Sequence, residues 1–192
     1  SSWRVAFCGS EPVRFDTQEA FAERFAAARF DADARYPCYG LAEATLFVTG
    51  GTRGGGPASV SFVDSGLKAG RAEIALPQGS KQAEAAQDEV ERGVVTLVGC
   101  GREAVNHEVR IIAPDSGAVL QDGRVGEIWV AGPSVARGYW RREDATAESF
   151  PTPGGTRWLR TGDLGFRHDG EFFIVGRRKD MIIVRGQNLY PQ

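Results

Sequence analysis

The pattern of apolar and polar positions changes character part-way along the chain. Near the start, Val5-Ala6-Phe7-Cys8 is an apolar run of strand length, closed by Gly9-Ser10-Glu11-Pro12, whose glycine and proline stop regular structure. Asp16 with Glu19 three residues on gives a capping-box signal, and Phe21, Phe25 and Ala28 recur at helical spacing, which predicts a helix over 17–29. Pro37-Cys38-Tyr39-Gly40 then leads into Leu41-Ala42-Glu43-Ala44, a short helical turn, and the apolar run Thr45-Leu46-Phe47-Val48. Apolar strand and amphipathic helix in this order predict an α/β unit.

The stretch from Gly50 to Pro57, with five glycines, favours a free backbone and reads as a linker or loop. Beyond it lie a strand candidate, Val60-Ser61-Phe62-Val63, and a polar, alanine-rich tract from Gln78 to Arg92 without apolar periodicity, which reads as a surface insertion. From Val94 onward the pattern becomes short strands spaced by turns: Val94 to Val98, Glu108 to Ala113, Glu127 to Ala131, Arg157 to Arg160, Glu171 to Val175 and Met181 to Val184. Pro114-Asp115-Ser116-Gly117, Gln121-Asp122-Gly123 and His168-Asp169-Gly170 supply the turn residues, and Ala145 to Phe150 fits one short helix. This half predicts a small β-barrel or sandwich. No internal repeat is evident.

Composition narrows the function classes. Of 192 residues, 42% are hydrophobic and 25% charged, which is globular rather than disordered. Lys and Arg number 23 against 25 Asp and Glu, without a basic block, so nucleic-acid binding has no electrostatic footprint. Cys8, Cys38 and Cys100 are an odd number of isolated thiols, which points to a reducing, cytoplasmic setting. His107 and His168 lack partners at zinc-ligand spacing, and no apolar stretch approaches membrane-spanning length. The chain starts Ser1-Ser2-Trp3-Arg4 without an initiator Met, and we expect an excised internal segment.

Three constellations carry candidate chemistry. Tyr39 to Thr45 sets an aromatic ring and a carboxylate, Glu43, within one strand end: the ring can stack on a purine and the carboxylate can hold Mg²⁺ against phosphate oxygens. Arg160-Thr161-Gly162-Asp163-Leu164-Gly165 places a carboxylate between glycines after a short strand, where it can accept hydrogen bonds from both hydroxyls of a ribose. Gly176 to Gly186 puts Arg177, Arg178, Lys179 and Arg185 between apolar runs. Each has a plainer reading beside it. Tyr39 is also a boundary packing residue, Asp163 also a β-turn residue, and the basic cluster also a charged strand edge that resists pairing.

Taken together and in this order, the three resemble the adenylate-forming superfamily of acyl ligases. Gly126-Glu127-Ile128-Trp129-Val130 and Gly138-Tyr139-Trp140 add to the likeness. The wording from Tyr39 to Val48, and from Lys179 through Asn188-Leu189-Tyr190-Pro191-Gln192, is similar to fatty acyl-AMP ligases. The resemblance implies a piece of the adenylate-forming fold, an α/β part followed by a small β-barrel. Residues 1–56 would end an α/β subdomain, 57–93 would be a family insertion, 94–176 a barrel-like subdomain, and 177–192 the hinge and the start of a further domain.

The resemblance also implies ATP and Mg²⁺ as cofactors, a fatty acid as substrate, and an acyl-carrier protein, or a carrier domain of a polyketide or peptide synthase, as acceptor. It assigns Gly9, Ser10, Glu11 and Pro12 to the edge of adenine, and Tyr39 to its face, with Gly40, Leu41 and Ala42 alongside. Many relatives have Thr where this chain has Ala42, so a hydroxyl contact to the α-phosphate is missing. Glu43 falls to Mg²⁺, Asp163 to the ribose, Arg177 to ribose or phosphate, and Lys179 and Asp180 to the hinge. A phosphate-binding loop ending in Lys and a catalytic lysine are expected outside these residues, and we expect the chain alone to be inactive. An acyl-CoA synthetase, a peptide-synthetase adenylation domain and a non-catalytic nucleotide-binding module are the competing readings.

Overall fold

The computed structural model describes residues 2–76 and 93–180, with the backbone of 182–184 and 187–189. The tract Gln78 to Arg92, and Met181, Arg185 and Gly186 of the expected hinge segment, lie outside the described residues, as do Tyr190, Pro191 and Gln192. The α/β part opens with β1 (Ala6–Cys8), continues through α1 (Phe15–Phe25) and returns in β2 (Arg35–Tyr39), which pairs with β1 in parallel. The first strand and the helix follow the predicted α/β pattern, and β2 completes a strand–helix–strand unit with them. β3 (Thr49–Gly50) and β6 (Arg102–Glu103) complete a four-stranded sheet in the order β1-β2-β3-β6.

Between them come β4 (Ser59–Val63), α2 (Asp64–Lys68) and β5 (Val94–Val98). β4 and β5 pair antiparallel from Ser59 opposite Val98 to Val63 opposite Val94, and the Asp64 amide donates to the Gly93 carbonyl at 3.1 Å, so the segment 64–93 leaves and returns at one end of this ladder. The second sheet consists of β7 (Glu108–Ile112), β8 (Gly126–Ala131), β9 (Leu159–His168) and β10 (Glu171–Arg177), in the order β10-β9-β8-β7. A short helix α3 (Glu143–Ser149) connects β8 to β9. A hairpin of β11 (Ile182–Val184) and β12 (Gln187–Leu189) follows β10.

The expected barrel is corrected to an open sheet covered on both faces. Neighbouring residues of β10 point to opposite sides. Phe172 joins a core with Tyr39, Val48, Cys100, Ile128, Val130 and Leu159. Phe173 joins Phe62, Leu67 and Phe166 on the other face. There Phe166 and Phe173 stack at 5.2 Å with planes 8° apart, and Phe62 meets both edge-on. With both faces buried, the described strands satisfy their apolar surface by layering rather than by closing on themselves.

Three local features depart from what the apolar and polar pattern alone suggests. The capping box does not form: α1 starts at Phe15, its N-cap is Arg14 without a side-chain hydrogen bond, and Glu19 instead takes the Arg35 guanidinium at 2.7 Å. Arg35 also donates to the Gln18 carbonyl, and a charge-assisted pair of this kind outcompetes a bond to a helix-end amide. The apolar run Thr45 to Val48 is not a strand, because Thr45 and Leu46 take left-handed backbone angles, φ 54° and 75°. The loop thereby folds back over Gly40, where a Cβ would stand 1.2 Å from the Leu46 carbonyl oxygen, so only glycine fits. Gly50, expected in the linker, is the second residue of β3.

Candidate functional site

Asp163 owes its position to a fault in the sheet. Instead of ending a strand, as its flanking glycines suggest, it lies inside β9, where the ladder to β8 slips. Glu127 pairs with Leu164 and Trp129 with Arg160, so that Ile128 alone faces Thr161, Gly162 and Asp163. Gly162 takes φ 74°, the conformation such a bulge requires. Thr161 repairs the interrupted ladder: its hydroxyl donates to the Ile128 carbonyl at 2.8 Å and accepts from the Asp163 amide at 3.0 Å. The carboxylate is thus aimed by backbone geometry, and its side chain is only 8% exposed.

Two further residues converge on it. The Tyr39 hydroxyl, 124 positions away in sequence, donates to Asp163 Oδ2 at 2.7 Å. Arg177, which faces Asp163 across the β9–β10 ladder, donates from Nε to Oδ1 at 2.9 Å. Burial holds the Tyr39 hydroxyl well above its ordinary range, and the Asp163 charge adds to this. The Asp163 charge likewise raises Arg177. Tyr39 is therefore a proton donor at any ordinary pH, and each carboxylate oxygen retains a lone pair for a further donor.

These three side chains line a cavity of about 190 Å³ together with Ser10, Glu11 and Pro12. Gly40 and Asp180 reach it as well. Beside it lies a wider cleft of about 580 Å³, lined by Leu41, Glu43, Tyr139, Arg178 and Lys179 among others, and Arg177 borders both spaces. Glu43 sits on the turn Ala42–Ala44, where its Oε1 accepts from the Tyr139 hydroxyl at 2.8 Å. Burial first, and the Glu43 carboxylate second, raise the Tyr139 hydroxyl. The turn Arg178–Asp180 straddles cavity and cleft, with Lys179 toward the cleft and Asp180 toward the cavity.

Sequence-predicted site residues thus gather in two adjoining spaces, with two exceptions. Gly9 and Ala42 line neither. A Cβ on Gly9 would stand 2.8 Å from the Cys38 carbonyl oxygen, so this glycine serves the close approach of β1's end to β2. Ala42 faces solvent. Sequence reasoning passed over Thr161, Tyr139 and Glu127. Glu127 is a buried carboxylate, 3% exposed, with Arg160 at 3.3 Å and Arg178 at 4.0 Å. The signal for Thr161 was a hydroxyl directly before a strand glycine. Tyr139 stands in the Gly138-Tyr139-Trp140 stretch that adds to the family likeness, but nothing local gives it a role, because its partner is 96 residues away.

The Glu43 donor set suits Mg²⁺, which binds through one or two protein carboxylates and fills its other positions with water and phosphate oxygens. Tyr139 engages one carboxylate oxygen, and the other is left for a further partner in the open cleft. Among the described residues no cluster of three or more His, Cys, Asp or Glu side chains could hold a metal by itself. A cation here therefore needs the oxygens of a bound phosphate.

Comparison with known proteins gives concordant matches. Residues 1–140 match the model of a family described as AMP-binding enzyme. The whole chain is 42% identical over 196 residues to a medium-chain-fatty-acid–[acyl-carrier-protein] ligase, JamA, of Moorena producens, and covers 31% of it. A fatty acyl-adenylate ligase of L. pneumophila, solved in complex with acyl adenylate and pyrophosphate, superposes with a TM-score of 0.81 at 40% identity, over 94% of this chain and 30% of that one. A structure from work on fatty acyl-adenylate ligases of E. coli and L. pneumophila superposes at 0.83 with 34% identity, over 99% of this chain and 31% of that one. The chain spans about a third of the length of the relatives it matches.

Proposed function

The chain belongs to the AMP-binding enzyme family, and from that premise we propose that it forms the nucleoside-holding part of a ligase that activates a fatty acid with ATP. In the reaction a carboxylate oxygen of the acid bonds to the α-phosphorus, the bond from that phosphorus to the bridging oxygen breaks, and pyrophosphate leaves. The acyl group then passes to the phosphopantetheine thiol of an acyl-carrier protein, or of a carrier domain in a polyketide or peptide synthase, with release of AMP.

One observation carries the reading: a ring, an acid and a guanidinium from three separate elements close on one another at the wall of a single cavity. In this reading Tyr39 packs on adenine while its hydroxyl orients Asp163, and Ser10, Glu11 and Pro12 border the base. Asp163 accepts from the ribose hydroxyls. Arg177, on the border of the two spaces, reaches ribose or α-phosphate from its exposed side. When bound, Mg²⁺ on Glu43 would offset the charge of the phosphates in the cleft. Gly40 and Leu41 shape the passage between base and phosphates, whereas Gly9 and Ala42 act only through the backbone.

The turn carrying Lys179 and Asp180 would be the hinge about which a further domain swings, and the 57–93 stretch would be the insertion that restrains it. Residues 1–56 and 94–176 would be the two subdomains that the nucleotide bridges. A reducing, cytoplasmic setting suits the free thiols of Cys8, Cys38 and Cys100. Among the described residues no helix is long and apolar enough to cross a membrane.

The test is fatty-acid-dependent exchange of pyrophosphate into ATP by the full-length protein, followed by acyl transfer offered to carrier protein and to coenzyme A in parallel. Exchange with transfer to the carrier supports the reading. Exchange with transfer to coenzyme A makes it an acyl-CoA synthetase, and nucleotide binding without exchange makes it a binding module.

A further inference from the structure

Glu43 stands on a turn whose own bonds hold its backbone but not its carboxylate: the Leu41 carbonyl accepts from the Ala44 and Leu46 amides, and the Ala42 carbonyl from the Thr45 amide. Residues 42–44 form a single tight turn, followed directly by the left-handed Thr45 and Leu46. Three further links come from the loop after β8. The Ala136 amide donates to the Glu43 carbonyl at 2.7 Å, and Thr45 Oγ1 donates to the Ser134 carbonyl at 3.0 Å. The third link is the Tyr139 hydroxyl on Glu43 Oε1. Two of the three bonds hold backbone; only Tyr139 addresses the carboxylate itself.

The loop is braced in turn. His107 Nε2 and Ser134 Oγ lie 2.6 Å apart. The Tyr139 amide donates to Thr146 Oγ1 at 2.9 Å, on α3, and its ring meets Phe150 edge-on at 5.4 Å. Tyr139 is thus tied at its backbone and its ring before its hydroxyl reaches Glu43. A long, flexible carboxylate in an open cleft otherwise samples several rotamers, and one charge-assisted bond from an anchored donor selects one of them.

We propose that Tyr139 is a positioning residue for Glu43: it occupies Oε1, fixes the rotamer, and presents Oε2 toward the cleft where a cation bridging to a phosphate would sit. This rests on the role given to Glu43 above, and it adds a residue that none of the sequence motifs assigns. The cost of losing it falls on metal capture rather than on the nucleoside, because Tyr139 lines the cleft and not the Tyr39–Asp163 cavity.

The test uses the full-length protein and Tyr139→Phe, which keeps the ring on Phe150 and removes one hydroxyl. Mn²⁺ binding is titrated by electron paramagnetic resonance with a non-hydrolysable ATP analogue present, and the Mg²⁺ dependence of pyrophosphate exchange is measured beside it. The half-saturating metal concentration should rise about tenfold in both assays, the usual order for one charge-assisted bond. Binding of the analogue without metal should not change, and saturating Mg²⁺ should restore most of the exchange rate. Unchanged metal titrations in Tyr139→Phe overturn the proposal, as does a lower rate at every metal concentration with the midpoint unmoved. Wild-type Mn²⁺ binding that Glu43→Gln abolishes, weakened in Tyr139→Phe but without acid-dependent exchange, overturns the ligase reading and leaves the positioning role standing.

Discussion

The cavity around Asp163 and the cleft around Glu43 are neighbours built on opposite plans. Asp163 is buried, sits within a four-stranded sheet, and has both carboxylate oxygens engaged by fixed partners. Glu43 lies on a one-turn segment beside an open cleft and is held by one hydroxyl. The first site is shaped before any ligand arrives, so recognition there costs little ordering. In the proposed reading the second would leave room for phosphates, metal and a moving hinge. The proposed ligase, which would hold a nucleoside through two half-reactions while its phosphate region changes occupants, would be served by that division.

The sharpest way to break the contrast is Asp163→Ala. It strands the buried Tyr39 hydroxyl and frees Arg177, and unsatisfied buried groups of this kind cost about 1–3 kcal/mol each. AMP affinity of the full-length protein, measured by calorimetry, should fall about 100-fold, for two lost charge-assisted bonds to ribose. An equal fall in Glu43→Gln would erase the distinction between the two regions.

Next in size is the alkaline limb of stability. Burial pushes the Cys100 thiol from 9.0 up to about 12, and raises the Tyr39 hydroxyl as well. Both groups bind their protons more tightly folded than unfolded. Their contribution to stability is therefore whole below the unfolded values and is lost as pH rises through the folded ones. Urea midpoints should decline from about pH 9 upward, and Cys100→Ala should flatten the decline. An unchanged slope in that variant would count against the buried thiol.

Tyr39→Phe separates the ring from its hydroxyl. Stability should drop by about 1 kcal/mol, the usual net worth of one hydrogen bond, while AMP affinity moves less than about threefold because the stacking face remains. Smallest of all, Glu43→Gln should shift the urea midpoint by no more than an exposed substitution does, about 0.5 kcal/mol, while removing the metal dependence of nucleotide binding.

Much of this architecture is legible in the sequence where local patterns decide it. The runs at Ala6–Cys8, Val94–Val98 and Glu108–Ile112 become strands, and the Asp169-Gly170 turn forms with both residues at positive φ, 49° and 78°. The motif order also placed Tyr39, Asp163 and Arg177 together. What escaped was set by distant partners. Glu19 left its capping role for an Arg35 sixteen residues away. Asp163 carried a turn reading beside its ribose assignment because a bulge and a turn use the same glycine. Tyr139 stayed silent because no spacing rule links it to Glu43, and the barrel gave way to layers because aromatic residues on both faces of β10 found separate cores.

The central claim is that Asp163 grips the sugar of a bound adenylate, and a ligand–variant cycle tests it most directly. AMP and 2′,3′-dideoxy-AMP are titrated by calorimetry against full-length protein, wild type and Asp163→Asn. Wild type should prefer AMP by about tenfold or more, as expected for hydroxyls bonded to a carboxylate, and the preference should vanish in the variant. If Asp163→Asn favours AMP over the dideoxy compound as strongly as wild type does, the ribose is held elsewhere and the account is wrong.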